Sequence, residues 1–143
     1  MRIAVKEVGK ELQIIETSEK YRTACVKAYT GKNERVEFIL MTEDGTLCMG
    51  VNEDGLMLEL GTNFLMHLNN PHFPYQKIVG PVVFTRHKYV NVFKQEIWDY
   101  ELEDLTDEDI ERIRYILGEE YQAEVAKKFV DYESAFPMRY MFF

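Results

Sequence analysis

The stretch VEFILMTEDGTLCMGV, residues 36–51, decides the class of fold. Two apolar runs flank the acidic turn Glu43-Asp44-Gly45, in which glycine readily takes the left-handed backbone that a chain reversal needs. The pattern predicts a β-hairpin. A turn of similar chemistry follows at residues 52–55 and leads into leucines at the alternate positions 56, 58 and 60. Strands therefore arrive in neighbouring pairs, which favours an antiparallel sheet.

Further strands are predicted on both sides of this hairpin. The β-rich runs 2–8 and 12–16 flank Gly9-Lys10 and predict a hairpin at the amino end. Residues 78–85 predict a buried strand that Gly80-Pro81 interrupts, and residues 89–93 and 98–102 also have strand character. We interpret Arg86-His87-Lys88 as a solvated turn between two of these strands.

Helical spacing occurs in two regions. Apolar residues recur at helical intervals between Ser18 and Thr30, where Thr17 or Ser18 can cap the start. The second helix begins at Asp107, with Thr106 as its N-cap, Asp109 completing a capping box, and Leu105 stacking against Ile110 as a hydrophobic staple. Its apolar face continues towards the carboxy terminus, with a kink or break expected near Gly118.

These elements predict one α+β domain. We expect a mainly antiparallel or mixed sheet of five to six strands, one helix near the amino terminus and a long carboxy-terminal helix. The chain has 143 residues, which suits one ordinary domain. Within it, residues 1–117 are expected to form the α+β core, and residues 118–143 a helical extension with an aromatic tail.

Composition narrows the classes of function. Lysine and arginine number 17 against 25 aspartates and glutamates, so the formal charge is −8. Direct binding to duplex DNA is therefore not expected, because it needs a basic surface. No signal peptide or membrane span is recognisable, and we expect a cytoplasmic protein. Cys25 and Cys48 lack the spacing of a redox or zinc motif and are predicted to be reduced and buried.

The acidic residues after Trp98 are the strongest anomaly in the sequence. Asp99, Glu101 and Glu103 alternate with Trp98, Tyr100 and Leu102, and Asp104 extends the charge. In a strand the carboxylates would form a row on one face. A solvated sheet face is the ordinary interpretation. The sharper hypothesis is a docking surface for a partner protein with a basic surface, which long-range attraction would bring in faster.

Residues 61–76 are interpreted as an irregular loop with a short helical turn at 64–68, because asparagines, histidines and prolines interrupt the pattern. Asn63, His67 and His72 are candidate ligand-binding residues there. The five-residue spacing of the two histidines is not a metal signature. No catalytic motif is recognisable, so we assign no catalytic residues, metal site or cofactor, although an enzyme with an unfamiliar site stays open.

The carboxy terminus is unusually aromatic for a chain end. Residues 135–143 contain Phe136, Tyr140, Phe142 and Phe143 and carry little charge. Such a tail either packs over the sheet or serves as an interface for a second copy of the chain or for a host protein. A homodimer is therefore one of the open outcomes.

Several ordered features together resemble one known family. The motifs are Asn52-Glu53-Asp54-Gly55 followed by Leu58, Leu60-Gly61-Thr62-Asn63, Ile78-Val79-Gly80, and Leu105-Thr106-Asp107-Glu108-Asp109-Ile110. In this order they resemble the family called domain of unknown function 3846, over roughly residues 1–117. The chain departs from the family pattern by extra residues before Leu105 and by its tail. The resemblance implies a protein of bacteriophages or conjugative elements and carries no catalytic residues over.

From these observations we expect a non-enzymatic accessory protein of a phage or mobile element. It would bind and inhibit a host macromolecule, as an anti-CRISPR or anti-restriction inhibitor does, through its acidic surface. The first alternative is a module that binds or sequesters a small ligand or nucleotide at the loop of residues 61–76. The second is an enzyme with an unrecognised site.

Overall fold

A computed structural model of the chain describes residues 1–30, 35–55, 58–68, 71–72, 74–94 and 97–135. Its elements, in chain order, are β1 Arg2–Lys6, β2 Gln13–Glu16, α1 Arg22–Tyr29, β3 Val36–Leu40, β4 Leu47–Asn52, β5 Thr62–His67, β6 Tyr75–Val79, β7 Val82–Lys94, β8 Ile97–Glu103, α2 Asp107–Leu117 and α3 Glu119–Ala135.

The main layer is a six-stranded antiparallel sheet. Its strand order is β2-β1-β7-β4-β3, and β8 pairs with the distal part of β7. Strands β5 and β6 form a separate antiparallel pair. The fold is thus α+β, with a helix near the amino terminus and helices at the carboxy-terminal end, as the strand and helix patterns predict. The predicted hairpins β1–β2 and β3–β4 are confirmed, and both pair antiparallel.

Two apolar clusters lie on the two faces of this sheet. Helix α1 covers one face, where Cys25 and Val26 pack with Val83 and Leu102. A β-carbon on Gly50 would lie 2.5 Å from Val26, so glycine lets α1 approach β4 closely. Both cysteines are free and buried, as expected. On the other face the β5–β6 pair and helices α2 and α3 cover a larger cluster that includes Phe84.

Residues 61–76 are the clearest error of the sequence analysis. Residues 64–67 of the predicted helical turn at 64–68 belong to β5, which pairs with β6 from His67↔Tyr75 to Thr62↔Val79. Phe64 and Met66 alternate into the core and are 5% and 6% exposed. Residues 62–67 form a strand because they pair with β6 and because one face of the pair is buried. The local preferences of these residues do not indicate either interaction.

Helix α1 is shorter at its start than predicted. Residues 18–21 do not belong to it, because Lys20 accepts a backbone hydrogen bond from Leu102 and Tyr21 forms an isolated bridge with Glu101. This segment is held beside β8 in extended form until α1 begins at Arg22. The N-cap is Tyr21, which makes no side-chain capping bond, so the prediction of a Thr17 or Ser18 cap is wrong.

Helix α2 matches its predicted signals. Thr106 and Asp109 form the reciprocal capping box, and Leu105 is buried. The predicted break occurs at Gly118, whose extended backbone separates α2 from α3. Helix α3 packs on β5 and β6 through Gln122, which bonds the backbone of Leu65 at both its N–H and its carbonyl. No helix in the described part of the chain is long and apolar enough to cross a membrane.

Candidate functional site

Asp99 is not part of an outward-facing acidic row. It is only 6% exposed, and its carboxylate accepts hydrogen bonds from the backbone N–H and the hydroxyl of Thr23 at 3.0–3.2 Å. Asp99 therefore supplies, from a neighbouring strand, the cap that Tyr21 cannot give to α1. The prediction that it lies on the outer face is wrong, because the helix end attracts a carboxylate into the interior.

The other predicted partner-binding acids lie nearer the surface. Glu101 is half-exposed and pairs with Lys88 at 3.2 Å. Asp104 is exposed, and one of its oxygens accepts the backbone N–H of Arg2 at 2.6 Å. Glu103 is partly buried and pairs across the strands with Arg86, whose pKa the negative charge of Glu103 helps to raise, after the larger effect of Asp109. These three are ordered on the structure, and their binding of a partner stays a prediction.

The residues predicted to form a ligand loop have separate environments. Asn63 joins β5 to the main sheet, because its amide donates to the carbonyls of Lys6 and Gly80 at 2.7 and 2.9 Å. His67 lies against Tyr75 with ring centroids 5.1 Å apart and lines a cavity of about 300 Å³. His72 is exposed, and its carbonyl accepts the hydroxyl of Tyr132. The amide of Asn63 thus connects backbone segments of the fold, and its predicted role in ligand binding stays a prediction.

The predicted interface tail lies outside the described residues. Phe136, Tyr140, Phe142 and Phe143 all follow Ala135, where the description ends. Their proposed contact with the sheet, a second copy or a host protein stays a prediction.

The sequence analysis predicts strand β3 but does not predict that it lies at an edge of the sheet. It pairs with β4 and, among the described strands, with no other. Backbone bonds join Met41 to Leu47 and Glu53 to Arg35, so the odd-numbered residues of β3 bond towards β4. Since the direction alternates along an antiparallel strand, Val36, Phe38 and Leu40 point their N–H and C=O groups outwards. We call these outward groups the β3 edge.

A cavity lies on each face of the β3 edge. On the α1 side is the arginine cavity, with a volume of about 610 Å³. It is lined by Arg22, Phe38, Leu40, Asp44, Gly45, His87 and Tyr100. On the β5–β6 side is the acidic groove, with a volume of about 770 Å³, lined by residues 37–43 with Leu68 and Gln76. Phe38 and Leu40 line both, so the two cavities meet along the β3 edge.

Arg22 is held rigidly in the arginine cavity. Its guanidinium carbon lies 3.8 Å from the ring centroid of Phe38 and 4.4 Å from that of Tyr100. Two aromatic rings therefore lie close to the guanidinium, which favours its charge and restricts the side chain. Its Nη1 donates to the Cys48 sulfur at 3.7 Å, and its buried Nε has no hydrogen-bond acceptor among the described residues.

The neighbouring histidine and cysteine are both uncharged at neutral pH. His87 Nδ1 lies 3.6 Å from Cys48 Sγ. Burial, followed by the charges of Arg22 and Arg86, lowers the pKa of His87 to about 4. Burial also raises the pKa of the Cys48 thiol, which outweighs the opposing effect of Arg22. A nucleophilic cysteine needs its thiolate, and the raised pKa of the Cys48 thiol disfavours that form.

His87 also corrects the interpretation of Arg86-His87-Lys88 as a solvated turn. The three residues lie within the continuous strand β7, and His87 is 4% exposed. Arg86 bonds both oxygens of Asp109 at 2.7 Å and thereby joins β7 to α2. The local sequence carries no signal for this, because the carboxylate lies 23 residues further along the chain.

Metal-ligand side chains do not cluster in the described residues. Across the described ranges, no group of three or more histidine, cysteine, aspartate or glutamate side chains could hold a metal ion. The arginine cavity instead offers one cation, one anion at Asp44, a neutral imidazole and aromatic rings. Such a set can bind and orient a ligand by charge and by hydrogen bonds.

Comparison with models of protein families, with curated proteins and with solved structures found no match. The resemblance described above therefore stays an expectation.

Proposed function

We propose that this protein is a non-enzymatic binding protein that takes up an extended segment of a partner protein along the β3 edge. The observation that carries the proposal is the outward direction of the N–H and C=O groups of Val36, Phe38 and Leu40, with a cavity on each side. In strand addition, main-chain hydrogen bonds supply affinity, and pockets for alternate side chains supply specificity. The β3 edge offers both.

The biological setting comes from the family resemblance. A protein of a phage or conjugative element that captures a strand of a host protein would act as an inhibitor, and defence systems are the targets we propose. The neutral states of His87 and Cys48 support binding over catalysis.

A proline placed at the β3 edge tests the proposal. The N–H of Leu40 points outwards, and its side chain is 59% exposed, so Leu40→Pro removes one outward donor while the bonds to β4 remain. Peptides selected from a random display library should bind the natural chain and slow hydrogen exchange at Phe38 and Leu40. They should lose most of their affinity for Leu40→Pro.

Glu16→Pro is the matched control. Glu16 is on β2 at the opposite end of the sheet, and the bond from Thr17 to Met1 shows by alternation that its N–H also points outwards. Binding should be unchanged in this variant. In addition, N-methylation of every second peptide residue should block binding only when the methylated residues are those whose N–H groups bond to β3. Selected peptides that bind Leu40→Pro as well as the natural chain would contradict the proposal.

The acidic surface is a second element of the proposed interaction. Glu101, Glu103 and Asp104 keep surface positions on a chain with a formal charge of −8, which supports attraction of a basic partner. Replacing all three by amides should slow association and weaken its salt dependence, whereas Leu40→Pro should speed dissociation. An association rate that is unchanged at every salt concentration would remove this surface from the proposal.

A further inference from the structure

We propose that the segment bound at the β3 edge carries an aspartate or glutamate whose carboxylate enters the arginine cavity and pairs with Arg22. This inference rests on the proposed function and names the chemistry of the partner. Main-chain hydrogen bonds at the β3 edge would accept any extended segment. Arg22 would add specificity, because it selects a segment with an acidic residue.

Arg22 is a positively charged side chain that has no carboxylate partner among the described residues. Arg2, Arg35 and Arg86 each have a carboxylate within 4 Å, and Arg22 has none in the described part of the chain. Its acceptor is the Cys48 sulfur, a weak one, and within the described ranges its Nε has no acceptor. A buried donor without an acceptor is unfavourable, and a ligand carboxylate that reached it would offset that cost.

Two aromatic rings and a half-open cavity surround the guanidinium of Arg22. Its carbon lies 3.8 Å from the ring centroid of Phe38 and 4.4 Å from that of Tyr100, and Arg22 lines the arginine cavity. A guanidinium edge matches a carboxylate in geometry, and such pairs are stronger where water is excluded. The volume of about 610 Å³ is within the range of ligand pockets and accommodates one side chain with its backbone.

Strand alternation places the acid in the right cavity. Side chains of an added strand alternate between the sheet faces, so those on the face of Phe38 and Leu40 meet the arginine cavity. Those on the opposite face meet the acidic groove, which contains Glu37 and Glu43. The complementary partner therefore has an acidic residue on one face and basic or apolar residues on the other.

Asp44 limits how many acids fit. Its oxygen accepts hydrogen bonds from Thr42 and Thr46, which lower its pKa to about 2, so it is ionised at any ordinary pH. Because it lines the same cavity as Arg22, a second carboxylate placed near it would be repelled. We therefore infer a single acid in the bound segment, positioned at the Arg22 end.

A double-mutant cycle tests the pair. In a selected peptide, Glu→Gln (or Asp→Asn) should reduce affinity for the natural chain by about tenfold or more, and the same change should have little effect on binding to Arg22→Gln. Arg22→Lys keeps the charge but not the planar edge and should give an intermediate affinity. Lys20→Gln removes an exposed positive charge two residues away and should bind as the natural chain does.

The Arg22 Nε–H resonance gives a measurement that needs no variant. It should shift when the acidic peptide binds and should not shift with the amide peptide, even if Arg22→Gln fails to fold. Equal affinity of the acidic and amide peptides, with Leu40→Pro still defective, would overturn this inference and leave the proposed function intact. A peptide that binds Leu40→Pro normally would overturn both.

Small ligands form the last arm of the test. Glutamate and AMP, which offer a carboxylate and a phosphate, are titrated alone against the natural chain. We expect neither to approach the affinity of the peptide, because neither can bond the β3 edge. If either binds Arg22 as tightly as the acidic peptide does, the cavity is a small-molecule site and the peptide inference is overturned.

Discussion

At the scale of single residues, Asp99 shows how a carboxylate can be structural in an acidic stretch. It lies on β8, yet it caps α1 through Thr23 and also accepts the N–H of Tyr100 at 2.8 Å. A helix of eight residues has little stability alone, so this cap contributes to the position of Arg22 at its first turn. Asp99 thus helps to position Arg22 by holding the first turn of α1.

Removal of this cap should destabilise the protein measurably. We expect Asp99→Ala to lower the free energy of unfolding by about 1–3 kcal/mol, because Thr23 and Tyr100 lose their acceptor and the helix end loses its counter-charge. Asp99→Asn should cost less, since its oxygen still accepts. Urea denaturation followed by circular dichroism is the measurement.

The matched control for the cap is Glu101→Ala on the same strand. Glu101 and Lys88 are each 44% exposed, and a pair of this kind contributes little. The expected change is below about 0.5 kcal/mol. If Asp99→Ala and Glu101→Ala had equal effects, the capping role of Asp99 would be refuted.

At the scale of elements, Gln122 is one of several α3 side chains that hold the small β5–β6 sheet. Gln122 accepts the N–H of Leu65 at 2.9 Å and donates to its carbonyl at 2.9 Å, as a neighbouring strand would. It also donates to the carbonyl of Ile116 at 2.7 Å, near the end of α2. The glutamine therefore joins a strand and two helices.

Gln122→Ala should loosen this connection. Three hydrogen bonds are lost and partly buried backbone groups remain without partners, so the expected loss of stability is about 1–3 kcal/mol. Hydrogen exchange at Leu65 should become faster than at the central strand β4. Glu124→Gln, which affects only an exposed pair with Lys128, is the control and should leave both quantities unchanged. Unaltered exchange at Leu65 in Gln122→Ala would count against this role.

At the scale of the whole molecule, the buried His87 links stability to pH. Its pKa is about 4 in the folded chain against an ordinary value of 6.5. Between these values the unfolded chain binds a proton that the folded chain does not, so stability is complete above about pH 6.5 and falls as the pH approaches 4. Asp109 adds to the loss at lower pH: although burial raises its pKa, the hydrogen bonds from Arg86 and Thr106 lower it overall.

The free energy of unfolding should therefore fall by on the order of 3 kcal/mol between pH 6.5 and pH 4 because of His87. His87→Gln should remove this part of the decline. The measurement is urea denaturation at a series of pH values, together with an NMR titration of the His87 ring. A midpoint above pH 6 in the folded chain would contradict the assignment.

The amino-acid sequence by itself determined the features that depend on neighbouring residues. The hairpin of residues 36–51, the capping box of Thr106 and Asp109, and the break at Gly118 follow from turn chemistry, side-chain capping and the backbone freedom of glycine. Each involves groups only a few positions apart, so their energetics are already present in a short peptide. The α+β class followed from the order of such elements.

Only the tertiary structure decided where β3 lies in the sheet and what surrounds Arg22. Strand order brings β7 between β1 and β4 and leaves β3 at an edge, and it brings Arg22, Phe38 and Tyr100 into contact from three separate elements. The same applies to β5, which needs its partner β6, and to Asp99, which meets Thr23 across 76 positions of sequence. The physical reason is that pairing and burial depend on residues distant in the chain, which local preferences do not specify.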